Sequence, residues 1–244
     1  MKNSSLIKGA SYLLQGIRLL TVPGLRQFVW IPLLLSSCLL TIGTWYALSH
    51  IWGWSSVING MLPSWLHWMG WILMPLLFSM VGGLLFWSSG AVANLLGSPF
   101  NALLAEKVEI HLSGDLSPTP QHSSFMESSI LPVLSEINKI VYYLTRAIPL
   151  LLLFLLPVIN IAAPFLWILF SCWMMAFQYV DFPMSNHHMN DKKILAKLRE
   201  KRLLSLGFGG ATMVMSLIPF VNFLVMPAAV AGATALWVNE WKQE

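Results

Sequence analysis

The sequence predicts an all-α integral membrane protein. Hydrophobic residues make up 57% of its 244 residues, charged residues make up 10%, and the mean hydropathy is +0.69. Soluble domains carry roughly 25% charged residues. Residues 27–105, 147–180 and 203–239 contain no Asp, Glu, Lys or Arg. A soluble core removes charge from one face of a helix, whereas these stretches lack it on every face, as a lipid environment requires.

Residues 5–20 predict an amphipathic helix. Apolar residues recur at steps of three or four, and polar residues do the same on another face. The apolar series is Leu6, Ala10, Leu13, Ile17 and Leu20. Such a helix either lies in the membrane interface or packs against other helices, and the pattern leaves both open. The long apolar run that follows exceeds the length of a signal-peptide core, so we expect no cleavable signal peptide.

Two long apolar stretches predict two membrane-spanning helices. Residues 28–52 and residues 65–97 are each long enough to cross a hydrocarbon core of ~30 Å, which takes ~20 helical residues. The loop between them, residues 53–64, is rich in Gly, Ser, Asn and Pro and has no charge. We expect Gly97–Pro99 to break the second span.

The last two apolar stretches, 147–179 and 203–238, predict helical hairpins that enter the bilayer and turn back. Each contains an asparagine bracketed by prolines, in PVINIAAP and PFVNFLVMP, and the asparagines are Asn160 and Asn222. Interior prolines interrupt a helix, which leaves arms of 10–16 residues, mostly too short to cross. Broken backbone at membrane depth lines a cavity or a binding site. Two kinked full spans remain the alternative.

The basic residues predict the topology. If the hairpins do not cross, all 14 Lys and Arg residues lie on one side of the membrane, together with the polar helical excursion over residues 106–146. Basic residues accumulate on the cytoplasmic side, so we expect both termini in the cytoplasm. The excursion, with its turn-rich segment GDLSPTPQ, is too small for a catalytic domain. We treat residues 1–244 as a single membrane domain.

The segment TVPGLRQFV predicts an anion site at the start of the first span. The first N–H groups of a helix have no internal partner and carry partial positive charge. Arg26 adds a fork of donors that suits a tetrahedral oxyanion. An interfacial arginine that reaches lipid phosphate is the alternative.

The other polar clusters favour structural roles over catalytic or metal-binding roles. Glu106 and Glu109 resume charge on a helical spacing, and we expect one of them to pair with a base such as Arg146. Adjacent histidines and nearby acids in DFPMSNHHMNDKK lack the spacing of a metal site. The two cysteines lie in apolar runs and predict no disulfide. We therefore expect no enzyme, metal or cofactor, and charge that flanks apolar segments argues against nucleic-acid binding. The side chains concerned are Asp181, His187, His188, Asp191, Cys38 and Cys172.

Several blocks, taken in order along nearly the whole chain, resemble the CysZ-type bacterial sulfate permeases. They are PGLRQFV (23–29), SPFNALLAEKVE (98–109), YLTRAI (143–148), FLWILFSCWMMAFQYVDFP (165–183) and IPFVNFLVMPAAVAGATALWV (218–238). The resemblance implies an inner-membrane protein that takes up sulfate for cysteine synthesis, with related anions such as sulfite, thiosulfate or selenate as further ligands. It also implies homo-oligomers, in which protomers of this family can lie in opposite orientations.

By matching position, the resemblance implies sulfate binding at Gly24, Leu25 and Arg26. The family commonly has a second basic residue next, where this chain has Gln27. We expect Asn101, Asn160 and Asn222 to line or shape the path. A non-transporting membrane assembly or regulatory protein, or a less selective anion channel, shares the same hydropathy and stays an alternative.

Overall fold

The computed structural model describes residues 5–61, 63–114, 125–156, 159–218 and 221–242, and within them all regular secondary structure is helical. The helices are α1 Leu6–Leu19, α2 Gln27–Met61, α3 Gly70–Ser113, α4 Phe125–Leu153, α5 Ala163–Asn186, α6 Asp191–Glu200, α7 Arg202–Ser216 and α8 Asn222–Glu240. Short 3-10 helices cover Ser64–Met69 and Ile159–Ile161. The prediction of an all-helical chain is confirmed.

The chain divides into two compact units. The long-helix unit is Trp30–Phe100, and the core unit combines Met1–Val29 with Asn101–Glu244. The long-helix unit holds most of α2 and the first part of α3, and several of the aromatic side chains that the structure describes there lie on the surface. Trp45 is 75% exposed and Trp71 is 86% exposed. Apolar surface of this kind is stable against lipid and unfavourable against water.

The predicted break at Gly97–Pro99 is wrong, because α3 continues through it from Gly70 to Ser113. A proline in a helix loses one backbone hydrogen bond, and the turns on either side can keep the helix continuous. The predicted polar excursion at 106–146 is therefore the end of α3 followed by most of α4. The greater part of GDLSPTPQ, residues 115–121, lies outside the described residues.

The predicted arm length of 10–16 residues underestimates the helices of the first hairpin. Its arms are α4, with 29 residues, and α5, with 24 residues. Within the described chain, α5 is the one helix long and apolar enough to cross a membrane. Pro164 lies in the first turn of α5, where a missing N–H removes no helical hydrogen bond. The second hairpin has arms α7 and α8 of 15 and 19 residues, so α7 agrees with the predicted length and α8 exceeds it. The bracketing Pro157 and Pro219 lie outside the described residues.

Helix α1 packs on α7 and α8, and α5 packs on the same two helices. The predicted helix is confirmed, but the face that packs on protein is not the predicted apolar series: its buried residues are Gly9, Tyr12, Leu13, Gly16 and Leu19, whereas Leu6 and Ile17 of that series are exposed. Its other side leaves Ile7 and Leu14 exposed. Glycines allow the close crossings: a Cβ at Gly9 would meet the backbone of Leu204.

Adjacent glycines in α7 predict opposite effects of one added methyl group. A Cβ at Gly209 would collide with the carbonyl oxygen of Cys172 in α5, whereas a Cβ at Gly210 would lie 3.5 Å from the Cys172 sulfur. Gly209→Ala is expected to destabilise the protein by roughly 1–3 kcal/mol through overpacking. Gly210→Ala is expected to be neutral or to stabilise it by roughly 0.5–1 kcal/mol through helix propensity. Thermal unfolding of both variants in detergent measures the difference, and equal melting temperatures would contradict it.

Candidate anion-binding site

The segment between α1 and α2 contains a type II turn. Pro23 occupies the second position, where its ring presets φ, and Gly24 occupies the third with φ of +94°. The N–H of Leu25 closes the turn by donating to the carbonyl oxygen of Val22 at 3.1 Å. Only glycine adopts a positive φ there without strain, so this dipeptide sets the direction in which the chain enters α2.

Burial holds the turn in place. Leu25 is 5% exposed and belongs to the hydrophobic core of the core unit, and Val29, one turn into the following helix, is also buried. The residues beside Leu25 face outward, since Gly24, Arg26 and Gln27 are exposed. The backbone is thus anchored by one side chain while its neighbours stay accessible.

The outward part of the turn offers unpaired donors. The N–H of Phe28 donates to the carbonyl oxygen of Leu25 at 3.1 Å. The backbone amides of Gly24, Arg26 and Gln27 and the Arg26 guanidinium have no hydrogen-bond partner among the described residues, where the neighbouring donors are the amides of Leu25, Phe28 and Val29. Backbone amides at a helix start and a guanidinium are donors without acceptor capacity, which suits an oxyanion. Gln27 adds an amide N–H₂ and no charge.

The three asparagines expected along the path have different surroundings. Asn101 in α3 is 4% exposed, and its Nδ2 has no partner within the described part of the chain. Asn160 is exposed in the 3-10 helix Ile159–Ile161, where its N–H donates to the carbonyl oxygen of Leu156 at 3.0 Å. Asn222 begins α8. Asn101 is therefore a buried side chain whose amide N–H₂ has no acceptor among the described residues.

The expected pairing of Arg146 with Glu106 or Glu109 is wrong for the described residues. The Arg146 guanidinium lies 3.6 Å from the ring centre of Tyr142, one turn earlier in α4, and donates to the Tyr142 carbonyl oxygen at 3.2 Å. It also donates to Thr145 Oγ1 at 3.4 Å. An aromatic face and a carbonyl on its own helix stabilise the cation without a carboxylate.

Glu109 instead joins three parts of the core unit. Its carboxylate is fully buried and accepts hydrogen bonds from His187 Nε2 at 2.8 and 2.9 Å. Lys242, near the C-terminus, lies 2.9 Å from the same carboxylate. A carboxylate only accepts, so His187 Nε2 carries the proton. Burial raises the pKa of Glu109, but the hydrogen bonds from Lys242 and His187 outweigh it and lower the pKa below its ordinary value.

A second buried acid connects α1, α7 and α8. Glu240 accepts from the hydroxyl of Tyr12 at 2.7 Å and lies 2.5 Å from Lys8 Nζ. Lys201 Nζ lies 3.5 Å from its carboxylate and also donates to its backbone carbonyl. Burial raises the pKa of Glu240, and the hydrogen bonds from Lys8 and Tyr12 reverse the effect and lower it. Sequence reasoning missed this cluster, although Glu240 ends the last uncharged stretch.

Two of the possible metal ligands, Asp181 and His187, have other partners. Asp181 accepts from Lys139 at 2.6 Å and from Ser185 at 2.8 Å. His187 is bound to Glu109, and His188 is exposed at a positive φ of 56°. Within the described residues, no three His, Cys, Asp or Glu side chains come together as metal ligands.

Acid is expected to destabilise the core unit through Glu109. A carboxyl group whose pKa is lower in the folded state contributes stability that is complete above its ordinary pKa, near 4.5, and is lost as the pH falls towards the folded value. The melting temperature in detergent should therefore fall between pH 5 and pH 3 more steeply for the natural protein than for Glu109→Gln. Identical slopes would contradict this origin; Glu240 contributes a remaining slope in both proteins.

The helical fold, the apolar surface and a donor-rich turn beside one arginine define a helical membrane protein with an exposed corner that is a candidate for anion binding. Family comparison gives the particular class. Residues 12–227 match the family model described as Sulfate transporter CysZ/Etoposide-induced protein 2.4, and the chain belongs to this family.

Relatives from several bacteria carry the name Sulfate transporter CysZ. The chain is 41% identical to the protein from Pseudomonas fluorescens (strain Pf0-1), over 96% of this chain and 94% of the relative. It is 40% identical to that of Pseudomonas aeruginosa (strain LESB58), over 96% of both chains. It is 37% identical to that of Salmonella typhimurium (strain LT2), over 96% of this chain and 93% of the relative.

Proposed function

We propose that this protein carries sulfate across the bacterial inner membrane and supplies sulfate assimilation and cysteine synthesis. The observation that carries the proposal is similarity of 37–41% over nearly the whole chain to proteins named sulfate transporter. Sulfite, thiosulfate and selenate share the oxyanion chemistry and are candidate further ligands. The protein is not an enzyme in this proposal.

In this proposal, the turn formed by Gly24, Leu25 and Arg26 captures the dianion. Leu25 anchors the backbone from below, and the unpaired amides together with the Arg26 guanidinium replace water contacts that sulfate loses. Gln27 donates a further hydrogen bond without adding charge, so the site relies on one cation. The alternative role of Arg26, contact with lipid phosphate, uses the same donors and is separated from this one by direct sulfate binding.

The path for the anion is proposed to pass Asn101, Asn160 and Asn222. The unpaired Nδ2 of the buried Asn101 supports this, because a donor without a partner among the described residues is available to a passing oxyanion. Glu106 is half-buried on the same helix and is proposed to shape the path. Glu109 and Arg146 are proposed to have structural roles, Glu109 through His187 and Lys242 and Arg146 through Tyr142.

The proposed arrangement in the membrane has α2 and the first part of α3 as full spans, with α4–α5 and α7–α8 as partly inserted hairpins. The exposed apolar side chains of α2 and α3 support the spans. The length of α5, at 24 residues or roughly 36 Å, also permits a full crossing, as the kinked-span alternative requires. Both termini are proposed to lie in the cytoplasm, and the functional form to be a homo-oligomer.

Purified protein in liposomes is expected to move labelled sulfate without any other component. Uptake is measured from an outside solution of radioactive sulfate, with empty liposomes as the control and with and without a pH gradient. Uptake that responds to the gradient indicates proton coupling, and uptake that does not indicates a channel-like path. Absence of uptake under both conditions would contradict transport and favour a non-transporting assembly protein.

A further inference from the structure

Helix α6 is held firmly by its apolar side. Ile194 and Leu198 are fully buried and Leu195 is nearly so. The side chain of Asn190 caps the helix by accepting from the N–H of Lys193 at 3.0 Å. A short helix with a capped start and a buried stripe has a fixed orientation, so its exposed side chains project from fixed positions.

Six Lys and Arg residues occur between residues 191 and 202, and two of them have carboxylate partners. Lys197 lies 3.4 Å from Glu200, and Lys201 binds Glu240. The other four are exposed and have no carboxylate partner in the part of the chain that the structure describes. We call these four exposed cations the basic face, three from α6 and one from the first residue of α7, with the half-exposed Glu200 in the same run: Lys192, Lys193, Arg199 and Arg202.

The basic face lies where two apolar helices meet the polar part of the core unit. Helix α6 lies between the C-terminal end of α5 and the N-terminal end of α7 along the chain. Away from α6, α5 exposes Phe165 and Leu169 near its start, and α7 is followed by the exposed Leu217. Apolar side chains at the far ends and cations at the near ends match the order of a bilayer, from hydrocarbon to headgroup.

We propose that the basic face binds the headgroups of anionic phospholipids at the membrane surface. The inference rests on the membrane insertion of the proposed function, but it concerns a surface separate from the sulfate turn. Cations beside apolar segments attract anionic lipid by roughly fivefold in affinity for each Lys or Arg near the surface. Salt screens this attraction, because the Debye length falls to about 3 Å at 1 M. The phosphate diester of phosphatidylglycerol is the probe of this chemistry.

The test measures lipid preference with the full chain in phosphatidylcholine vesicles. A trace of spin-labelled phosphatidylglycerol or spin-labelled phosphatidylcholine is added, and electron paramagnetic resonance gives the fraction of each that the protein immobilises. The natural protein is expected to prefer phosphatidylglycerol severalfold at low salt and to lose the preference in 1 M NaCl. Changing all four residues of the basic face to glutamine is expected to bring the preference close to parity at low salt.

Matched variants separate the basic face from overall charge. Lys192→Arg with Lys193→Arg keeps the charge and should keep the preference. Arg18→Gln with Lys107→Gln removes two exposed cations elsewhere and should also keep it. If this second pair loses as much preference as Lys192→Gln with Lys193→Gln, or if the fourfold variant keeps the full preference, the proposal is overturned. The glutamine pair also serves as the test if the fourfold variant does not fold.

Two further experiments distinguish lipid binding at the basic face from binding of a free anion there and from sulfate binding at the turn. Inorganic phosphate should lower the preference no more than NaCl of equal ionic strength, and a larger effect would assign the face to a soluble anion. The fourfold variant should bind sulfate as the natural protein does. Arg26→Ala should keep the phosphatidylglycerol preference, so failure of sulfate binding and failure of lipid binding are observed independently.

Discussion

Replacing Arg26 with alanine is expected to lower sulfate affinity by roughly 30- to 150-fold, corresponding to the loss of about 2–3 kcal/mol of charge-assisted hydrogen bonding. The guanidinium is the one cation on the turn at residues 22–27, and Gln27 cannot replace its charge. The protein should fold normally, because the Arg26 side chain is exposed and the turn is anchored by Leu25. Isothermal titration with sulfate measures the affinity, and uptake into liposomes should fall with it.

Arg18→Ala is the matched control for this experiment. Arg18 is an exposed arginine in the last turn of α1, eight residues earlier in the chain. Its removal changes net charge by the same amount but leaves the turn untouched, so sulfate affinity should stay within about twofold. Arg26→Lys should recover part of the affinity, because it restores charge without the planar fork. Unchanged sulfate affinity in Arg26→Ala would remove the turn from the mechanism.

Glu240→Ala is expected to destabilise the protein by about 3–5 kcal/mol. The carboxylate is buried and contacts Lys8, Lys201 and the hydroxyl of Tyr12, so its removal leaves two ammonium groups and one hydroxyl without their shared acceptor. Breaking one side of a buried ionic cluster costs about this much. Unfolding in mixed micelles with increasing dodecyl sulfate, followed by circular dichroism, measures the free energy.

An exposed ion pair provides the contrast. Glu200→Ala removes the carboxylate 3.4 Å from Lys197, on a side chain that is about half exposed, and should cost no more than about 1 kcal/mol. Tyr12→Phe should cost roughly 1–3 kcal/mol in the natural protein and much less in the Glu240→Ala background, since its hydroxyl partner is then already gone. Comparable losses for Glu240→Ala and Glu200→Ala would show that the cluster does not hold α1, α7 and α8 together.

Local patterns were sufficient for the class of fold. Uncharged stretches of this length predict membrane helices because hydrocarbon penalises charge on any face. The type II turn at Pro23–Gly24 was not predicted and is seen in the structure. Resemblance within short blocks pointed to the family that the whole-chain comparison then established. The role of Arg26 in binding sulfate stays a prediction.

Helix lengths were less predictable because proline acts differently by position. Pro164 begins α5, and Pro99 lies inside α3 without ending it. Both prolines look alike in a sequence window, because a proline is tolerated in the first turn of a helix and can interrupt one only from an interior position, and the sequence alone does not say where the helix begins.

The sequence by itself determined the helical class, the apolar surface and the family of this protein, because each depends on composition or on residues close together in the chain. Only the tertiary structure decided the ionic partners. Glu109 meets His187 and Lys242, and Tyr12 meets Glu240 across 228 positions. Such pairs form where packed helices bring distant side chains within hydrogen-bond reach, and chain spacing carries no record of that distance.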